Sequence, residues 1–241
     1  MCTRYVLFQK HYRALLARLG IAAPSDFVSR YNIAPGSAVP AVRTARDARG
    51  GAAPEAVALH WGFARAWNPA PRTAPLVNAR AETLAERPAF RAALRTRRCV
   101  LPASGFFEWK ALGRAREPWF FRRDDGEPFG LAALWETDAG PDGAPRDTCA
   151  VVTTAPNALM QPVHHRMPVM LTPEQCAAWL DPRPTTPAAL APLLRPPPAE
   201  SMCASVVSRR VNNVRHDDPA CLEPPGPDEA VAEEPQLPLG W

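Results

Sequence analysis

Residues 98–110 read RCVLPASGFFEWK, a stretch that reads as strand. It opens a series of similar runs: EPWFFRR (117–123), FGLAALWE (129–136) and DTCAVVTTA (147–155). The segments between them, LGRA (112–115), DDGE (124–127) and DAGPDGAP (138–145), have the residues that tight turns need. Upstream, EAVALHWGFA (55–64) reads as a strand and YNIAPGSAVPAVRTA (31–45) as a turn feeding one. Downstream, MPVML (167–171) and SMCASVVSRRVN (201–212) complete the strand candidates.

Helices fall between these strands rather than in strict alternation with them. FQKHYRALLARL (8–19) carries apolar residues at helical spacing, with Gly20 as a stop. ARAETLAERPAFRAALRTRR (79–98) reads as two short helices, with Pro88 opening the second. TPEQCAAWL (172–180) has Thr172 as cap and Pro173 at the first position, and TTPAALAPLLR (185–195) repeats that arrangement. The pattern predicts an α+β single domain on a mainly antiparallel, barrel-like sheet with peripheral helices. That domain is expected over 1–221. The acidic, Pro-rich 222–241 is expected to be a disordered tail.

The chain has 241 residues, 46% hydrophobic and 22% charged, the balance of a soluble globular protein. No apolar run approaches the roughly 20 residues of a membrane helix, and the N-terminus lacks a signal-peptide pattern. A cytoplasmic, nucleoid-associated protein is the expectation, with no membrane partner. None of the six cysteines has C-x-x-C spacing, which argues against a zinc knuckle or a thioredoxin-like site. No metal and no cofactor are expected, and most of the thiols should be buried.

Net charge is +4, but its distribution is uneven. Residues 1–123 hold 21 Lys+Arg against 7 Asp+Glu, and residues 124–241 hold 7 against 17. Codon bias explains the preference for Arg over Lys but not the change of sign. A basic half of this strength is a footprint for a polyanion such as nucleic acid. Trp61 and Phe63 read mainly as strand core. Trp67, in the Pro-rich loop 66–76 near Arg65, Arg72 and Arg80, is the better platform for stacking an unpaired base.

Four places carry chemistry. Cys2 follows the initiator Met1, and removal of Met1 would give it a free α-amine beside its thiol. Asn78 lies in LVNARAET, Glu108 in GFFEWK and His164 in HHRMPVM. Taken singly, each has a structural explanation. Cys2 could be a buried thiol and Asn78 a helix cap. Glu108, sharing a strand face with Phe106, faces water or is desolvated with a raised pKa. His164 and His165, if on a strand, point to opposite sides and make a poor metal clamp. Together, an amine with an adjacent thiol, an amide, a carboxyl and an imidazole suit the capture of an aldehyde. The amine forms a Schiff base, the sulfur closes a thiazolidine on the same carbon, and Glu108 or His164 moves the protons.

MCTRY, RYNIAPG, VNARAET, GFFEWK, HHRMPV and VVSRRVNNV occur in this order from residue 1 to 214. The set resembles the SRAP (SOS-response-associated peptidase) family, whose members shield abasic sites in single-stranded DNA. The resemblance implies that Cys2 forms the thiazolidine crosslink and Asn78 holds the adduct. It implies that Glu108 transfers protons during imine formation, and that His164 assists ring opening. Arg4, Arg80 and Arg166 would lie against DNA. The peptidase of the family name would describe exposure of Cys2, by the protein itself or by a cellular aminopeptidase, and the Schiff-base path also permits a weak lyase activity by β-elimination. Thr3 stands where the family usually has Gly, which restricts the backbone beside Cys2 without removing a reactive group. Two other readings fit parts of the pattern: an N-terminal-nucleophile cysteine amidohydrolase, and a non-covalent single-strand-binding module.

Overall fold

The computed structural model describes residues 2–46, 51–63, 75–139, 143–183 and 185–227. Its strands are, in chain order, β1 (Tyr5–Leu7), β2 (Arg30–Ile33), β3 (Ala38–Arg46), β4 (Ala52–Trp61), β5 (Asn78–Arg80), β6 (Arg98–Ala103) and β7 (Gly105–Leu112). They continue as β8 (Ala115–Arg123), β9 (Phe129–Ala139), β10 (Pro145–Thr154), β11 (Met167–Pro168), β12 (Met170–Leu171) and β13 (Met202–Val206). The helices are α1 (Gln9–Arg18), α2 (Pro88–Thr96), α3 (Pro173–Leu180) and the single turn α4 (Pro187–Leu190).

Strand 98–110 breaks at Ser104, and this break organises the molecule. Its first half, β6, belongs to a barrel that runs β10-β4-β3-β6-β9 and closes where β9 pairs with β10. Its second half, β7, belongs to a five-stranded sheet ordered β13-β8-β7-β1-β2. All pairings are antiparallel except those of β10 with β4 and β5, so the mainly antiparallel, barrel-like α+β reading holds. Full closure removes the sheet edges that an open sheet would expose.

The period-2 alternation of β7 gives each face of the second sheet its own core. Phe106 joins Tyr5, Leu7 and Phe121 in the main core. Phe107 joins Val6, Phe120, Val207, Val211 and Cys221 in a smaller one. Gly105 is required by close approach: a methyl there would run into the Phe120 ring and meet the Phe121 carbonyl oxygen at 2.8 Å. The predicted cap of α3 is present as a full capping box. Thr172 Oγ1 accepts from Gln175 N, and Gln175 Oε1 accepts from Thr172 N.

Three expectations change. The last strand ends at Val206, and Arg209–Asn212 turns as a 3-10 helix, because Ser208 caps it by accepting from Arg210 N. Asn78 is on β5 rather than at a helix cap; the 3-10 turn Ala81–Thr83 is entered from Arg80. The packed unit also reaches past residue 221. Leu222 packs on the smaller core and the Glu223 carbonyl accepts from Ser208 N at 2.8 Å. The remainder of the expected tail, 228–241, lies outside the described residues. Among the described residues no helix is long and apolar enough to cross a membrane.

Candidate active site

β1 runs antiparallel to β7, with Tyr5 opposite Phe106 and Val6 opposite Gly105. The pairing extends toward the N-terminus through Phe107 N, which donates to the Arg4 carbonyl at 3.0 Å. This register brings Cys2 up to the Glu108 end of β7. Cys2 is fully buried, and burial foremost, then the Glu108 carboxylate, push its thiol well above the usual range.

Glu108 is 2% exposed, on the same face of β7 as Phe106. Burial raises its pKa to about 7. The sequence left open whether this carboxyl faces water or is desolvated; it is desolvated. Its Oε2 lies 3.9 Å from His164 Nε2. Burial lowers the His164 pKa, so the ring is neutral near pH 7. The other ring nitrogen, Nδ1, is fixed by the Arg166 backbone, 3.1 Å from its N–H and 3.0 Å from its carbonyl oxygen. Whichever of these two groups is engaged, Nε2 is the nitrogen turned to Glu108. His164 and His165 are in the turn before β11 rather than on a strand, and their rings lie 4.4 Å apart at 31°. The divergence expected of neighbours on a strand does not occur.

Asn78 opposes Val151 in the parallel pairing of β5 with β10. Both polar atoms of its amide are buried with no hydrogen-bond partner among the described residues. Such a group costs free energy unless something occupies the space beside it. Asn78 lines a cavity of about 410 Å³ together with Arg80, Arg87, Thr153 and Arg166. Arg166 is held by Glu82 through Nη1 at 2.8 Å and Nη2 at 2.9 Å, and Nη2 also donates to the Thr153 carbonyl at 2.6 Å. Its Nε is buried without a partner among the described residues. Cys2, Glu108 and His164 therefore form one group, and the Arg166 backbone joins it to the cavity that holds Asn78.

Arg4 is bonded within the protein. Its Nη1 donates to Asn32 Oδ1 at 3.0 Å and to the Val211 carbonyl at 2.8 Å, and its guanidinium carbon is 5.7 Å from the centre of the Trp109 ring. Arg4 is half-buried, and its Nη1 is taken up by these protein acceptors. Trp67 lies outside the described residues. Trp61 and Phe63 are core, 0% and 1% exposed.

Sequence reasoning missed the clasp behind Arg4. Asn32, 2% exposed, donates through Nδ2 to the carbonyls of Val211, Asn213 and His216. Asp217 accepts from Tyr31 N at 2.5 Å, Asn32 N at 2.9 Å and Arg30 Nε. The only signal was the pair of motifs RYNIAPG and VVSRRVNNV, whose link is spatial. Arg87 was also missed, although it lines the cavity.

The SOS response associated peptidase (SRAP) profile matches residues 1–214. The chain belongs to this family. The abasic site processing protein YoqW of Bacillus subtilis is 34% identical over 228 residues, which cover 92% of this chain and 99% of YoqW. The abasic site processing protein YedK of Escherichia coli is 34% identical over 185 residues, 75% of this chain and 79% of YedK. Among solved structures, a Bacteroides thetaiotaomicron protein superposes with a TM-score of 0.79 at 25% identity. That match covers 92% of this SRAP chain and 99% of its counterpart.

Proposed function

We propose that this SRAP protein processes abasic sites in single-stranded DNA by covalent capture through Cys2. The observation that carries the reading is the juxtaposition of Cys2, Glu108 and His164. Removal of Met1, by the protein itself or by a cellular aminopeptidase, frees the α-amine. That amine attacks the C1′ aldehyde of the ring-opened sugar, and loss of one water leaves an imine. The thiol sulfur then bonds to the imine carbon, and its proton passes to the nitrogen. The product is a thiazolidine, and the lesion is shielded.

A thiol held above its usual range needs a base to become the nucleophile. Glu108, titrating at about 7, is suited to accept that proton and return one during dehydration. Neutral His164 is suited to assist ring opening and reversal. The unsatisfied Asn78 amide supports a role in holding the adduct. Arg80 and Arg166 line the cavity beside Asn78, which supports a role against phosphate, and Trp67 is assigned to base stacking. The imine also permits strand scission by β-elimination, a weak lyase activity.

The test is a denaturing gel of processed protein with a single-stranded oligonucleotide carrying one abasic site. The expected product is a heat-stable band formed without borohydride, absent for Cys2→Ser. Crosslinked material whose mass still includes Met1 would overturn the reading.

A further inference from the structure

The sequence RPAFRAALR (87–95) repeats arginine every fourth residue: Arg87 at the N-cap of α2, Arg91 one turn on, and Arg95 in the last turn. All three are exposed. Phe90, Ala93 and Leu94 are buried and seat the helix on the barrel, so the arginines form a stripe beside the packed face. None of the three side chains has an ion pair or hydrogen bond among the described residues. Glu82 is occupied by Arg166, and Glu86 precedes Arg87 in the turn.

Apart from Arg95, which suits the macrodipole in the last turn, this stripe works against the helix. Like charges four residues apart each destabilise it by about 0.2–0.5 kcal/mol. The first turn carries no acidic residue, and Arg87 places a cation at the end where the macrodipole favours an anion. Helix stability therefore does not account for the stripe. Its position does: Arg87 lines the cavity that contains Asn78, Arg80 and Arg166, and Arg91 and Arg95 lead away from it. Each step of four residues advances about 6 Å along the axis, comparable to the step between successive phosphates of an extended strand.

We infer that Arg87, Arg91 and Arg95 form a phosphate track that guides the DNA strand on one side of the lesion out of the active-site cavity. The occupant is the sugar–phosphate backbone of single-stranded DNA, engaged through charge and without base reading. The inference rests on the proposed capture of abasic sites and adds the path of the flanking strand.

The experiment compares wild type with the double variant Arg91→Gln/Arg95→Gln. The probes are single-stranded oligonucleotides with one abasic site and a long flank on the 5′ side, on the 3′ side, or on neither. Lys10→Gln/Arg13→Gln, at exposed positions of α1, removes the same charge elsewhere. Binding is measured against salt. The track predicts that the double variant lowers the salt slope by about 1.4 for one flank polarity only. Its crosslinking of the oligonucleotide without flanks stays at the wild-type rate, the α1 variant keeps the full slope, and Arg91→Lys/Arg95→Lys restores it. An unchanged slope in the Gln double variant, or an equal loss in the α1 variant, overturns the track while wild-type crosslinking leaves the capture reading standing. Wild type that neither binds nor crosslinks these oligonucleotides removes both.

Discussion

Glu108 Oε2 faces His164 Nε2 across 3.9 Å, with the carboxyl almost wholly buried and the imidazole partly so. Burial moves the two groups in opposite directions, raising the acid to about 7 and lowering the base, so near neutral pH the carboxyl exchanges its proton beside a neutral imidazole. Two carboxylate–imidazole states that differ by one proton are therefore close in free energy, a condition for moving protons at an aldehyde carbon.

The rate of capture should rise as pH increases through about 7, as Glu108 loses its proton and becomes the base. Single-turnover crosslinking measured across that range checks this. Glu108→Gln should lower the rate and flatten the profile; a variant profile that still rises through about 7 would assign the step to another group.

Stability has the opposite dependence. The folded pKa of Glu108, about 7, exceeds the ordinary 4.5, so the neutral form is favoured by folding. Its contribution is fully present below about 4.5 and is lost as pH rises through about 7. Glu108→Gln does not titrate, so its stability relative to wild type should increase by on the order of 3 kcal/mol between about pH 4 and pH 8. Urea denaturation of both proteins at the two pH values measures this difference.

Arg4→Ala should lower stability by about 2–3 kcal/mol, because the Val211 carbonyl and the Asn32 amide lose a charged donor. The capture rate should fall as the N-terminal segment loosens, while the salt slope for undamaged single strands stays unchanged. A slope reduced by about 0.7 would instead mark Arg4 as a phosphate contact.

Glu82→Gln should tighten binding of single-stranded DNA and steepen its salt dependence, since the carboxylate occupies the Arg166 face that a phosphate would use. Arg166 keeps its bond to the Thr153 carbonyl, and the Glu82 side chain is half exposed, so stability should change by less than about 1 kcal/mol. Fluorescence anisotropy at two salt concentrations and a thermal melt read the two effects.

Gly105→Ala should destabilise by about 1–3 kcal/mol through overpacking against Phe120 and the Phe121 carbonyl. Thermal denaturation reads this directly, and a melting temperature equal to wild type would show that the Phe120 ring moves aside freely.

Local pattern carried much of the architecture. Alternation along Phe106–Trp109 marked a strand with Glu108 on the Phe106 face, and Thr172-Pro173 marked a helix start that the structure completes as a capping box. Partners were harder to read, because period gives a face but not what covers it. Closure of the barrel depends on β10 pairing with β4 and β5 in parallel, and nothing local in 145–154 specifies that. Cys2, Glu108 and His164 lie together through the pairing of β1 with β7 and the approach of His164 to Glu108. Asn78 was legible as a residue type and misplaced as an element, since a side chain that can cap a helix can equally end a short strand. Asn32 and Asp217 are 185 positions apart, and their bond leaves no trace in either segment alone.

The lacing of Arg4 and Asn32 to segment 211–217 also decides where the polypeptide tolerates shortening. A gene product stopped ahead of Val211 would carry every reactive side chain named here. It would still lack the carbonyl that steadies Arg4 from 207 positions downstream, and its leading end would be left without an anchor.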